Sequence, residues 1–128
     1  MEMLIVLVVI ALIAAVAIPQ VMRMLESAKT KAARIQLETV SQALNFYKLD
    51  NDDYPTSEQG LKALLEAPEG LDSWTGPYLR KAQQTRDPWG HALIYTAPDG
   101  NHKFTVRTLG ADGKAGGSGE NKDVDVSE

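Results

Sequence analysis

The chain opens on an unbroken apolar run. From Met3 to Met22 no side chain carries a charge; Glu2 precedes the run and Arg23 follows it. About twenty helical residues span roughly 30 Å, the thickness of a bilayer's hydrocarbon core, and only a helix satisfies its own backbone polar groups over that distance in lipid. Pro19, near the far end, lacks a backbone donor and is expected to loosen or bend the helix there. Beyond it the pattern stays helical but becomes amphipathic. Ala33, Leu37, Val40, Leu44 and Tyr47 recur at steps of four and three on one stripe, while Lys29, Lys31, Arg34 and Glu38 lie mostly elsewhere. No Gly or Pro stands between Val21 and Leu49, so one helix is expected over residues 1–49. Its first half suits lipid and its second half suits a protein core. Ile35, Phe46 and Leu49 fall on the opposite side, and a second apolar face calls for a loop wrapped over it or a neighbouring subunit.

Turn formers at residues 49–60 end the helix, closed by Tyr54-Pro55. Thr56 or Ser57 is expected to cap a short helix with Leu61, Leu64 and Leu65 on its apolar face, stopped by Ala67-Pro68-Glu69-Gly70. Residues 71–85 read as irregular, with Trp74, Pro77, Tyr78 and Leu79 plugging the core. Asp87-Pro88-Trp89-Gly90 has the residue order of a tight turn. Two extended runs follow at residues 92–97 and 102–109, the second alternating Phe104, Val106 and Thr108. Pro98-Asp99-Gly100-Asn101 joins them as an antiparallel hairpin. The fold class is therefore α+β, a long N-terminal helix packed on a small antiparallel sheet. A hydrophobic half-helix spans residues 1–22 and one globular domain spans residues 23–128.

Composition narrows the function. With 128 residues there is room for one modest domain beyond the helix. A net charge of −4 without a basic block argues against nucleic acid as a partner. Cysteine is absent, so packing, a metal or assembly must stabilise an extracytoplasmic domain in place of disulfides. No Lys or Arg precedes the apolar run, and the helical pattern continues past Pro19, which speaks against a cleaved signal peptide. A plain membrane anchor and a helix used both in lipid and in protein packing remain open. Glu2 bears on the choice, because a carboxylate in an apolar helix is either solvated among headgroups or paired with a positive group on another copy.

From Gly110 onward the chain is Gly-rich and acidic, with little to pack. It does offer hard oxygen donors in Asp112, Ser118, Glu120, Asn121, Asp123 and Asp125, together with backbone carbonyls. Calcium takes six to eight such oxygens in flexible geometry. Taken alone, such a composition is more often a disordered acidic tail than a metal site, and the spacing is not that of an EF-hand. The other polar residues read as structural. His91 and His102 are expected at the surface, Asp87 to cap its turn, and Asp50, Asp52 and Asp53 to form a solvated helix end. Trp74 and Trp89 are expected to cover a small hydrophobic interior.

Several of these stretches converge on one family. Met1-Glu2-Met3-Leu4 and the apolar run resemble the N-terminal helix of type IV pilin-like proteins, whose mature chains begin Phe-Thr-Leu-x-Glu. Further residues and a leader are thus expected ahead of Met1. Tyr47-Lys48-Leu49-Asp50-Asn51, Tyr54-Pro55-Thr56, Glu58-Gln59-Gly60-Leu61, Asp87-Pro88-Trp89-Gly90 and Leu109-Gly110-Ala111-Asp112-Gly113 together resemble the major pseudopilins of type II secretion systems.

That resemblance implies a pilin-like fold and a structural subunit, not an enzyme. It implies a single-pass protein of the bacterial inner membrane, processed and N-methylated by a prepilin peptidase. The subunit would then be drawn into a periplasmic pseudopilus that helps export folded proteins across the outer membrane. Its partners would be copies of itself, minor pseudopilins and an inner-membrane assembly platform. Glu2 and Pro19 are expected at the subunit contact. The resemblance also implies calcium in the loop after the final strand. The carried-over ligands are the Leu109 carbonyl and the side chains of Asp112 and Asp123, with Ser118, Asn121 and the Lys114 carbonyl as further candidates. The family's usual Asp-Ile-Gly-Asn-Trp ending is replaced by Asp123-Val124-Asp125-Val126-Ser127-Glu128, and Lys122 sits beside a presumed ligand. A type IV pilus or DNA-uptake pilin and a monomeric membrane-tethered periplasmic binding domain are the alternatives.

Overall fold

The computed structural model describes residues 2–127, and of Glu120 the backbone only. Met1, expected to open the helix, Glu128 at the acidic end and the Glu120 side chain among the oxygen donors lie outside the described residues. Helix α1 runs Glu2–Asn51 as one element and continues through Pro19. The Ala15 carbonyl loses its partner at Pro19, and that single loss does not interrupt the helix. Asp52 ends it with φ 66°, a left-handed conformation that Asp tolerates better than most residues. The expected stripe is the buried face: Ala33, Leu37, Val40 and Leu44 are fully buried and Tyr47 nearly so.

Leu61, Leu64, Leu79, Leu93, Phe104, Val106 and Val124 close over that stripe. Phe104 meets Tyr54 edge to face at 5.0 Å. Each large aliphatic side chain fully withdrawn from water contributes about 1.5–3 kcal/mol. The expected short helix is a 3₁₀ helix, Gly60–Leu64. The turn before it is held reciprocally, with Gln59 N donating to Thr56 Oγ1 at 3.1 Å and Thr56 N donating to Gln59 Oε1 at 3.0 Å. Of the expected plugs, Leu79 is buried and Trp74 and Tyr78 are half-buried, whereas Pro77 is exposed. Trp74 donates from Nε1 to the Ala63 carbonyl at 2.7 Å, which ties the irregular segment to the 3₁₀ helix.

Strands β1 (Ile94–Thr96) and β2 (Thr105–Thr108) form the expected antiparallel hairpin, registered with Thr96 opposite Thr105. The sheet has a third strand. β3 (Val124–Ser127) comes from the tail and pairs antiparallel with β2, Val124 opposite Thr108, giving the order β1-β2-β3. The residues read as an acidic end thus close the sheet, with Val124 buried and Val126 half-buried at alternate positions.

Polar contacts tie the loops to α1. Gln36 Nε2 donates to the carbonyls of Gln83 at 3.2 Å, Gln84 at 2.9 Å and Arg86, which anchors the 3₁₀ helix Ala82–Thr85. Asp50 is more than part of a solvated helix end: its Oδ2 accepts from Thr75 Oγ1 at 2.6 Å and Tyr78 OH at 2.8 Å. The Thr75 bond, then that from Tyr78, holds the Asp50 carboxyl below its ordinary pKa. Tyr95 OH donates to the Pro55 carbonyl at 2.6 Å, and burial pushes its pKa above the usual tyrosine range.

Candidate functional site

Two regions carry the candidate residues. The first is the bare half of α1. From Glu2 through Ala28 every side chain is exposed except the half-buried Ala14. Leu4, Ile5, Val6, Leu7, Val8 and Val9 occupy consecutive positions and so surround the helix, with none of its most apolar stretch buried. Apolar surface on this scale marks a lipid or protein contact. Glu2 stands in the first turn, where the helix dipole favours a carboxylate, and Pro19 lies exposed within the same half. Ile35, Phe46 and Leu49 are exposed at 63%, 61% and 76%. No described segment wraps them, so of the two coverings their pattern allowed, the loop is not there.

The second region is the loop between β2 and β3, which carries Leu109, Asp112, Lys114, Ser118, Asn121 and Asp123. It is built from tight turns. Gly110 and Gly113 take φ 79° and 65°, and Gly113 N donates to the Gly110 carbonyl at 3.3 Å. Lys114 N donates to Asp112 Oδ1 at 3.1 Å, an Asx turn that orients the carboxylate. At Gly117, φ 97°, an added Cβ would lie 2.6 Å from the Asn121 carbonyl, so the backbone folds directly onto the 3₁₀ helix Gly119–Asn121. Asp123 reaches back across the loop, its Oδ2 accepting from Gly116 N at 3.1 Å.

In donor chemistry alone, two carboxylates with a hydroxyl, an amide and backbone carbonyls, this set is of the kind a hard cation takes. Among the described residues no cluster of three or more His, Cys, Asp or Glu side chains surrounds one point. The candidate set needs none, because its two carboxylates, Asp112 and Asp123, suffice to balance a dication while neutral oxygens complete the shell. Asp123 Oδ1 is buried and has no hydrogen-bond partner. A carboxylate oxygen in that position is costly unless a cation or water meets it.

Beneath this loop lies the Asp-Pro-Trp-Gly turn. Asp87 caps it as expected: Gly90 N donates to the Asp87 carbonyl at 3.0 Å, and Oδ1 accepts from Trp89 N and His91 N at 3.1 and 2.8 Å. Sequence reasoning missed that Oδ2 also accepts from Thr108 Oγ1 at 2.6 Å. His91 and His102 are exposed as expected, with His102 Nδ1 3.5 Å from Asp99 Oδ1. Trp74 and Trp89 are half-buried.

Comparison with known proteins settles the family. The model for the family described as type II secretion system, protein G matches residues 20–127. The type II secretion system core protein G of Pseudomonas aeruginosa is 39% identical over 96% of this chain and 88% of its own length. That of Vibrio cholerae is 35% identical over 97% and 86%. The major pseudopilin from the type 2 secretion system of enterohaemorrhagic Escherichia coli, a crystal structure, superposes with a TM-score of 0.64 at 26% identity, covering 81% of this chain and 90% of that one. With its long N-terminal helix, small antiparallel sheet and bare apolar half, the chain belongs to the type II secretion system protein G family, the major pseudopilins, and is a structural subunit of the secretion pseudopilus rather than an enzyme.

Proposed function

We propose that this subunit is stored in the inner membrane by the half-helix of residues 1–22, with the domain of residues 23–128 in the periplasm. It then polymerises as sister helices replace lipid around that half. The observation that carries the reading is the bare first half of α1, apolar on every side and without a covering segment among the described residues. Glu2 supplies the register. Its carboxylate is solvated at the membrane surface and, on assembly, neutralises the terminal ammonium of a neighbouring subunit inside an apolar bundle. Breaking one partner of such a buried pair costs about 3–5 kcal/mol. Prepilin peptidase, minor pseudopilins and an inner-membrane platform are the partners this cycle requires, and folded exoproteins are its cargo. Pro19, by freeing one backbone carbonyl, gives the helix a point at which to bend or loosen as it leaves lipid.

The Glu2→Gln variant is expected to remain in the membrane fraction and to form no pseudopili when overproduced in cells. Wild-type fibre yield from that variant would overturn the pairing.

Calcium is the metal this reading places in the β2–β3 loop, held by the carbonyls of Leu109 and Lys114 and by Asp112, Ser118, Asn121 and Asp123. The partnerless Oδ1 of Asp123 supports it. The cation would cross-link the loop and stabilise the sheet's last strand, taking the place of a disulfide. Full-length protein in detergent micelles is expected to gain about 2.7 kcal/mol at a hundredfold calcium excess over the dissociation constant, and none with chelator. No calcium-dependent rise in Tm removes the metal and leaves the fibre reading intact.

A further inference from the structure

The Asp-Pro-Trp-Gly turn and the Leu-Gly-Ala-Asp-Gly turn are remote in sequence and share one ring of polar contacts. Asp87 Oδ2 accepts from Thr108 Oγ1 at 2.6 Å. The same Thr108 oxygen accepts from Gly110 N at 3.3 Å. The Gly110 carbonyl faces His91 Nδ1 at 3.3 Å, and His91 N returns to Asp87 Oδ1 at 2.8 Å. The Asp87 side chain is wholly out of water, Thr108 is fully buried, and Gly110 is buried. One more contact extends the ring: a Cβ on Gly113 would lie 3.3 Å from the His91 imidazole, so the ring packs against that turn as well.

A turn cap needs one carboxylate oxygen and tolerates water around the other. Here the second oxygen is buried and committed to Thr108. Valine has nearly the shape of threonine and suits a buried strand position better, so packing alone does not call for a hydroxyl at residue 108. The hydroxyl both donates and accepts, and that dual role links the carboxylate to the backbone of the next turn through a single side chain, beside the longer route through His91. We infer that Asp87, Thr108 and His91 are positioning residues for the β2–β3 loop, holding the segment that carries the Leu109 carbonyl and Asp112 in its binding shape before a cation arrives. Preforming a loop removes ordering cost from binding. The effect on affinity rests on the calcium reading above; the effect on the loop does not.

Full-length protein in detergent micelles tests both parts. Amide exchange of residues 109–116 is followed in chelator, and calcium affinity is followed by calorimetry. Thr108→Val is expected to speed exchange in that segment about tenfold, with residues 37–47 of α1 unchanged, and to weaken calcium binding by a similar factor. Thr108→Ser restores both. His91→Phe keeps a ring beneath Gly113 at an exposed site. It is expected to speed loop exchange about threefold, and this stands as the check if the valine variant unfolds. Exchange that rises equally through the whole domain in Thr108→Val, or loop exchange unmoved in His91→Phe, overturns the inference. If the loop responds as stated while wild type takes up no calcium, the inference stands and the metal reading fails.

Discussion

Leu7 and Leu37 are the same residue on the same helix, and one is 62% exposed while the other is 0% exposed. Backbone geometry does not separate them, since α1 is continuous from Glu2–Asn51. What differs is a partner. The second half of α1 meets a sheet and loops from its own chain, whereas the first half meets none among the described residues. A helix satisfies its backbone internally, so it can be complete in secondary structure while its side chains still await a solvent. One element is thus half a finished core and half an interface.

Paired substitutions sharpen this contrast most strongly. In full-length protein in micelles, Leu37→Ala is expected to lower unfolding stability by about 2–5 kcal/mol, and Leu7→Ala by less than about 0.5 kcal/mol. Denaturant titration of both reads the difference, and equal losses would erase the distinction between the halves.

A smaller effect concerns the end of the packed half, where Asp50 holds Thr75 and Tyr78. Its pKa is lower folded than unfolded, so the ionised carboxylate favours the folded state above the ordinary carboxylate range, near pH 4. That contribution is lost as pH falls through the folded value. Asp50→Asn is expected to melt below wild type at neutral pH, with the gap narrowing under about pH 4. A gap that stays constant with pH would show that Asp50 acts by shape alone.

The smallest expected effect on the isolated subunit is at the exposed face of the packed half. Phe46→Ser should leave stability within about 0.5 kcal/mol, because the side chain is 61% exposed. It should nevertheless reduce pseudopilus yield if a second copy covers Ile35, Phe46 and Leu49. Unchanged yield confines the interface to the bare half.

Much of the scaffold was legible from residue order. Steps of three and four marked the buried stripe from Ala33 to Tyr47, alternation marked Phe104, Val106 and Thr108, and Asp87-Pro88-Trp89-Gly90 marked a turn. Val124 and Val126 alternate in the same way, but the signal is only four residues long and lies beside a Gly-rich stretch. The acids dominate the local pattern there, and the two valines do not by themselves mark a strand. The candidate loop was legible as a set of oxygen donors and not as a shape.

Sequence alone determined the long helix, its change of solvent midway, the hairpin and the family motifs, because each is a local pattern that repeats within a few residues. Only the tertiary structure decided that the tail returns as β3, that Asp50 holds Thr75 and Tyr78, and that Asp87 reaches Thr108. Those contacts join positions far apart in the chain. Their energy exists only once the core has brought them together, and no local periodicity records it.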